Sequence, residues 1–178
     1  MSDSIGGDRI GSLLARLEQV RQEAGDKTLV PTDQYLRFQV GEVHYALPVT
    51  EVRGVDRLYP LAYVPGAPDF VLGVCNRRGM VLPCISLSEL LDGAATKIIR
   101  SSRLVLIQDH EASGLIGLLA DRLLDVVNIG SESIAPAMAT LAQGALLRGQ
   151  TSLANDQVVL LIEPEQLLQR INERMAGR

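Results

Sequence analysis

The chain has 178 residues, 47% of them hydrophobic but only 3% aromatic, with no Trp and a formal net charge of −4. A chain of this size buries roughly 70% of the surface its unfolded form exposes, enough for one domain or two small fused ones held without metal or disulfide. The acidic balance offers no global attraction to nucleic acid or anionic lipid, and the shortage of rings disfavours a base-stacking surface.

Ile10, Leu13, Leu14, Leu17 and Val20 recur at the spacing of one helix face, which predicts an amphipathic helix over residues 8–24. Gly25 and Asp26 end it. The polar stretch to Thr32, through Pro31, reads as a linker, so residues 1–33 are expected to form a helix and linker, and residues 34–178 the main domain. The period then changes to two. Leu36, Phe38 and Val40 alternate with Arg37 and Gln39, Gly41-Glu42 turns the chain, and Val43, Tyr45, Leu47 and Val49 alternate with His44, Ala46 and Pro48. This is a hairpin with one buried face, and Pro48 places the end of its second strand. A short helical turn is expected over residues 50–58 and an ordered Pro-rich loop over 59–68.

A second hairpin follows, in which the apolar runs 70–74 and 80–82 flank the tetrad Asn76-Arg77-Arg78-Gly79. Two adjacent guanidinium groups resist burial, so a four-residue turn displays them on a rigid support, as a docking device does. Ordinary solvated turn charges are the plain alternative. Beyond it, residues 88–91 suggest one helical turn, and residues 103–108 and 115–120 a third hairpin. Val126, Val127 and Ile129 extend the strand signal, residues 136–144 read as irregular, and residues 146–153 and 158–162 are the last strands. Glu163-Pro164-Glu165 opens a terminal helix whose apolar stripe is Leu167, Leu168, Ile171 and Met175. Short strands at short intervals indicate an all-β barrel architecture. No sequence repeat of about 20–50 residues is visible.

Motifs of catalysis are missing: there is no G-x-S-x-G, no Walker-type phosphate loop, no G-x-G-x-x-G after a strand and no H-E-x-x-H. His44, at an expected exposed strand position, and His110, in a turn, lack a local nucleophile or carboxylate. The competing reading is nonetheless a small-molecule-binding barrel or hydrolase using one of them. Gly114-Leu115-Ile116-Gly117 lies in a strand pattern without basic neighbours, unlike the loop of single-strand RNA binders. Asp121, Arg122 and Asp125 read as a solvated strand end. Cys75 and Cys84, without a CxxC or a His pair, read as small buried thiols. No apolar stretch approaches the roughly 20 residues of a membrane span, and Met1-Ser2-Asp3-Ser4 does not begin a signal peptide. A reducing cytoplasm is the expected location.

The order Gly73-Val74, Asn76, Arg78-Gly79, Pro83 and Leu87 resembles the hairpin of the CheW family, coupling proteins that link chemotaxis receptors to their histidine kinase. The resemblance runs from about Tyr35 to Arg170. It includes Gly41 and Tyr45, the segment Val64-Pro65-Gly66-Ala67-Pro68, the stretch Gly117-Leu118-Leu119-Ala120-Asp121, Leu147-Arg148-Gly149, residues 158–162 and Leu167-Leu168. It implies an all-β fold of two packed, five-stranded Src-homology-3-like barrels, to which an N-terminal and a C-terminal helix are added. It also implies a non-catalytic scaffold with no cofactor or metal. The implied partners are the CheW-like regulatory domain of a CheA-type kinase and the cytoplasmic tip of a methyl-accepting chemoreceptor. Nucleic acid binding and direct membrane insertion are not implied; the protein would be recruited from the cytoplasm to membrane receptor arrays. The partner-binding residues carried over are Val52, Val74, Asn76, Arg77, Arg78 and Gly79.

Three departures stand out. An ungapped match sets Gly54 where the family often has a carboxylate pairing with the counterpart of Arg78, so Glu51 or Asp56 is expected to substitute. Ser86 stands where an aspartate is common before Leu87. The N-terminal helix is an addition that suggests a specialised pathway of pilus motility or biofilm signalling.

Overall fold

The computed structural model describes residues 32–110, 113–138, 141–154 and 156–177; the helix expected over 8–24 and the linker through Pro31 lie outside them. Ten strands follow one another: β1 Thr32–Val40, β2 Val43–Pro48, β3 Val52–Arg57, β4 Val71–Arg77, β5 Met80–Ser86, β6 Arg103–Asp109, β7 Gly114–Ala120, β8 Arg122–Gly130, β9 Leu147–Ser152 and β10 Val158–Ile162. The helices are α1 Leu87–Leu91, the single turn α2 Leu141–Gly144 and α3 Pro164–Ala176, and single 3-10 turns occupy Val49–Glu51 and Ser131–Ser133.

The strands form two five-stranded sheets, ordered β8-β1-β2-β10-β9 and β3-β6-β7-β5-β4, each curled into a Src-homology-3-like barrel. The chain leaves the first barrel after β2, builds the whole second barrel, and returns with β8 to complete the first. Each barrel contains one parallel pair, β2 with β10 and β5 with β7, and the rest is antiparallel. The segment after β3 bridges to β4 at Ala62–Val74, and the segment after β8 bridges to β9 at Ala135–Gln150. The glycine before each bridge permits the approach: a Cβ on Gly73 would stand 2.5 Å from the Ala62 carbonyl oxygen, and one on Gly149 2.6 Å from that of Ala135. The two halves are therefore structural repeats that the sequence does not display as a repeat.

Three apolar clusters account for the pattern of burial. Cys75, Leu82, Cys84, Leu104, Leu106 and Leu119 fill the second barrel; Tyr35, Ala46, Ile129, Val159 and Leu161 fill the first. The largest cluster joins residues of both barrels, among them Phe38, Tyr45, Phe70, Val105, Ile107 and Leu118, and takes in Leu87 and Leu90 of α1 and Leu167 and Ile171 of α3. This explains why β6 reads Leu-Val-Leu-Ile without alternation. Leu104 and Leu106 face the interior of their barrel, while Val105 and Ile107 face the second apolar layer, so both faces are buried.

Two local expectations are corrected. The helical turn expected over 50–58 is confined to Val49–Glu51; Val52–Arg57 is strand β3, alternately half-buried and exposed. Val-Arg-Gly-Val-Asp-Arg has the strand period, and pairing with β6 satisfies one edge of its backbone. Val74 and Leu82, expected from the apolar runs 70–74 and 80–82 to lie in an apolar layer, do not share a face. The register pairs Leu82 with Cys75 and Val74 with Pro83, so Val74 takes the opposite, half-buried face.

Ser86 explains its own departure. It is the N-cap of α1, and its hydroxyl accepts a hydrogen bond from the Glu89 amide at 3.1 Å. Aspartate and serine cap a helix equally well because each places an oxygen acceptor there.

Candidate functional site

The β4–β5 hairpin narrows from the expected four-residue turn to two residues. Arg77 pairs with Met80 in register, leaving Arg78 and Gly79 with φ of 52° and 87°. Two consecutive positive φ angles are the type I′ geometry, whose twist matches that of the flanking strands. Asn76 locks the turn by accepting the Gly79 amide on its Oδ1 at 2.8 Å. The first central position favours Asn, Asp or Gly; Arg78 holds it at the cost of a left-handed backbone.

The two arginines have separate roles. Arg77 donates from Nε to Asp56 Oδ2 on β3, and both side chains are largely enclosed, 15% and 18% exposed. The hydrogen bond to Asp56 raises the guanidinium pKa above its ordinary value. Since β3 and β4 are the two ends of the sheet order, this ion pair draws the edges together and helps to close the barrel. Arg78 is exposed, and among the described residues no carboxylate pairs with it. The expectation that Glu51 or Asp56 braces Arg78 is thus corrected: Asp56 is taken by Arg77. Gly54 lies beneath that pair, where a Cβ would stand 3.9 Å from Arg77 Nη2 and 3.7 Å from Leu106 Cδ1.

Asn76, Arg77, Arg78 and Gly79 therefore stand together at one hairpin tip, and Val74 lies along the same strand. Val52, at the far end of β3 from Arg57, packs against the cluster shared by the two barrels instead. The sequence reading missed Met80 and Val81, which follow the turn and are 52% and 73% exposed. They had been absorbed into an apolar run of which only Leu82 is buried. The missed signal was parity: in a strand with one buried face, consecutive apolar residues cannot all point inward. A cation beside exposed aliphatic side chains is the composition of a protein-docking surface.

The other candidates are dispersed. His44 is half-buried rather than exposed; its Nε2 lies 3.4 Å from the side-chain nitrogen of Gln157 and its Nδ1 is buried without a partner. His110 is exposed in the β6–β7 turn, at a cavity of about 510 Å³ that Asp33, Tyr35, Arg148 and Glu163 also line. Neither histidine is hydrogen-bonded to a nucleophile or carboxylate among the described residues. Asp125 pairs in bidentate fashion with Arg37 at 2.7 and 2.8 Å, and Asp121 accepts the Gly41 amide at 2.7 Å; both brace the first barrel. Cys75 and Cys84 are buried free thiols with sulfurs 3.5 Å apart, and burial pushes the Cys84 thiol pKa up. Among the described residues no group of three potential ligands is placed to hold a metal ion, and no helix is long and apolar enough to cross a membrane.

Twin barrels that carry a preorganised cationic hairpin define an interaction module. The chain belongs to the CheW-like domain family, whose model matches residues 34–172. It is 29% identical to the chemotaxis protein CheW of Helicobacter pylori, over 84% of this chain and 87% of the relative. It is likewise 29% identical to that of Klebsiella aerogenes, over 92% and 95%. Protein FrzA of Myxococcus xanthus is 28% identical over 83% and 92%. The crystal structure of the scaffolding protein CheW from Thermoanaerobacter tengcongensis superposes with a TM-score of 0.67 at 22% identity, covering 77% of this chain and 88% of that one, a likeness of fold. The resemblance read from the hairpin is borne out, and with it the reading of the chain as a chemotaxis-type adaptor.

Proposed function

We propose that this protein couples the cytoplasmic tip of a methyl-accepting chemoreceptor to the CheW-like regulatory domain of a CheA-type histidine kinase. It does so without catalysis, in the cytoplasm, at membrane receptor arrays. Residues 34–178 supply the coupling domain, preceded by the helix and linker of residues 1–33. The docking surface is the β4–β5 tip, with Arg78 as its charged contact, Met80 and Val81 as its apolar contacts, and Asn76, Arg77 and Gly79 holding its shape. Val74 extends the surface along β4, and Val52 contributes from beneath by positioning β3.

One observation carries this reading. Arg78 keeps a left-handed backbone that glycine would adopt freely, and among the described residues no carboxylate pairs with it. Strain held at an exposed, unpaired side chain is characteristic of a residue selected for contact.

The experiment compares Arg78→Gly and Arg78→Glu in mixtures of receptor tip and kinase, by co-sedimentation and kinase autophosphorylation. Both variants should fold, and Arg78→Gly should gain about 0.5–1 kcal/mol by relieving the turn. Both should lose coupling, since a docked arginine facing a carboxylate costs about 2–5 kcal/mol when lost, against roughly 0.2–1 for a solvated one. Wild-type coupling in Arg78→Glu would remove this residue from the interface.

A further inference from the structure

The two cysteines of the chain take no part in the docking surface, yet they stand together inside the second barrel. Cys75 on β4 and Cys84 on β5 are 4% and 0% exposed, share one apolar cluster and are both free thiols. The Cys84 thiol donates towards the Cys75 sulfur at 3.5 Å, with the Leu82 carbonyl oxygen as its other acceptor at 3.6 Å. Their surroundings differ. Cys84 packs among Leu82, Leu104, Leu106 and Leu119, and burial pushes its thiol pKa up, so it keeps its proton. Cys75 precedes Arg77 by two residues on one strand and therefore shares its face, and it interacts electrostatically with the guanidinium that Asp56 anchors. Negative charge developing on the Cys75 sulfur thus faces a cation, the setting in which a thiol reacts.

We propose that Cys75 and Cys84 form a redox modification site, a dithiol that a hydroperoxide converts to an intramolecular disulfide. The Cys75 sulfur attacks one peroxide oxygen and the O–O bond breaks. The other oxygen leaves as water or alcohol with the Cys75 thiol proton, and Cys75 becomes a sulfenic acid. Cys84 then attacks that sulfur: the S–S bond forms, the S–O bond breaks, and hydroxide departs as water with the Cys84 proton. The two thiols supply two electrons and the peroxide accepts them. A thiol reductant reverses the bond by exchange.

Closing the bond brings the sulfurs from 3.5 Å to about 2.05 Å. Cys75 is opposite Leu82 and Cys84 opposite Gly73, so the pair lies on a sheet diagonal. Diagonal neighbours are about 7–8 Å apart, more than the roughly 6.8 Å between Cα atoms that a disulfide spans. Strands β4 and β5 must therefore shift against one another. The same strands end in the Arg78-Gly79 turn, so oxidation reshapes the tip and peroxide becomes a second input to the adaptor. That last consequence rests on the coupling function proposed above, whereas the modification itself does not.

The test treats the reduced full chain with hydrogen peroxide, stops the reaction with catalase, and counts thiols by iodoacetamide labelling and intact mass. Wild type should lose both thiols together, its mass falling by about 2 Da as two hydrogens leave. It should carry no intermolecular disulfide on a non-reducing gel and regain both thiols with dithiothreitol. Cys84→Ser should stop at a Cys75 sulfenic acid that dimedone captures. In Cys75→Ser the remaining Cys84 should react about tenfold more slowly or less. Amide hydrogen exchange over residues 76–80 should differ between the reduced and oxidised forms. Thiols that survive peroxide doses sufficient to oxidise free glutathione, disulfide-linked dimers, or a Cys84 that reacts at the wild-type rate without Cys75 would each overturn the proposal. So would a rate that climbs with urea in proportion to the unfolded fraction, which would assign the reaction to the unfolded chain. Unchanged exchange at residues 76–80 would sever the link to the tip. None of these readouts depends on receptor or kinase, so they separate this inference from the coupling function.

Discussion

Replacing Gly73 by Ala tests the closure of the second barrel. The new Cβ would lie 2.5 Å from the Ala62 carbonyl oxygen and 3.2 Å from its carbon, so the facing backbone must withdraw by roughly 0.7 Å to reach an ordinary carbon–oxygen contact. The hydrogen bonds across the Ala62–Val74 bridge, now 2.7 and 2.9 Å, would then stretch beyond useful length. Two such bonds contribute about 1–3 kcal/mol together. Alanine at the Gly73 φ of 137° adds about 1–3 kcal/mol of backbone strain. The sum, about 2–6 kcal/mol, is a large share of the roughly 5–15 kcal/mol that holds a domain folded. Equilibrium urea unfolding measures it directly as a lower midpoint at unchanged slope. Gly149→Ala is the companion variant: it meets the equivalent Ala135 carbonyl and the movable Ile134 Cγ2, both at 2.6 Å, without a positive φ; since a side-chain methyl can shift, it should cost less, about 1–3 kcal/mol. Gly73→Ala within about 1 kcal/mol of wild type, or a larger loss in Gly149→Ala, would refute the reasoning.

Leu82→Asp, placing a carboxylate inside the second barrel at a side chain 2% exposed, should cost about 4 kcal/mol or more, whereas Val74→Asp on the half-buried outer face should cost about 1; equal melting temperatures would mean the strand faces are misassigned. Ser86→Ala should lose about 1–2 kcal/mol with its cap, and Ser86→Asp should retain more stability than the alanine variant; chemical denaturation giving the reverse order would show that the hydrogen bonds of the Ser86 hydroxyl with those of Ser88 and Thr96, not the cap, matter at this position. Burial raises the phenol pKa values of Tyr35 and Tyr45 above their ordinary value of 10.0. The folded chain therefore keeps protons that the unfolded chain releases, and stability should hold below pH 10 and fall above it by up to about 1.4 kcal/mol per unit per tyrosine. Urea midpoints from pH 8 to 11, with Tyr45→Phe flattening the decline, check this, and a midpoint that does not move would contradict it.

The local chemistry of the chain settled much of the fold unaided. The strand period over Leu36–Val40 and Val43–Leu47 is a property of neighbouring residues, as is the Pro164 start of α3, and these elements appear in the structure where their patterns placed them; burial of Ala46 on the second face of β2 and the narrowing of the Asn-Arg-Arg-Gly tip to a two-residue turn do not follow from the pattern. The ordered run of motifs from Tyr35 to Arg170 was enough to suggest the family. What the pattern could not convey depends on partners distant in sequence. That Asp56 meets Arg77 rather than Arg78 follows from barrel closure, which brings together strands separated by the whole width of a sheet. That Val52–Arg57 is a strand follows from β6, some fifty residues later, which supplies its hydrogen bonds. The interleaving of the two barrels and the repeated glycine bridges likewise arise only on folding. Periodicity specifies which face of an element is apolar, but only the assembled chain specifies what that face meets.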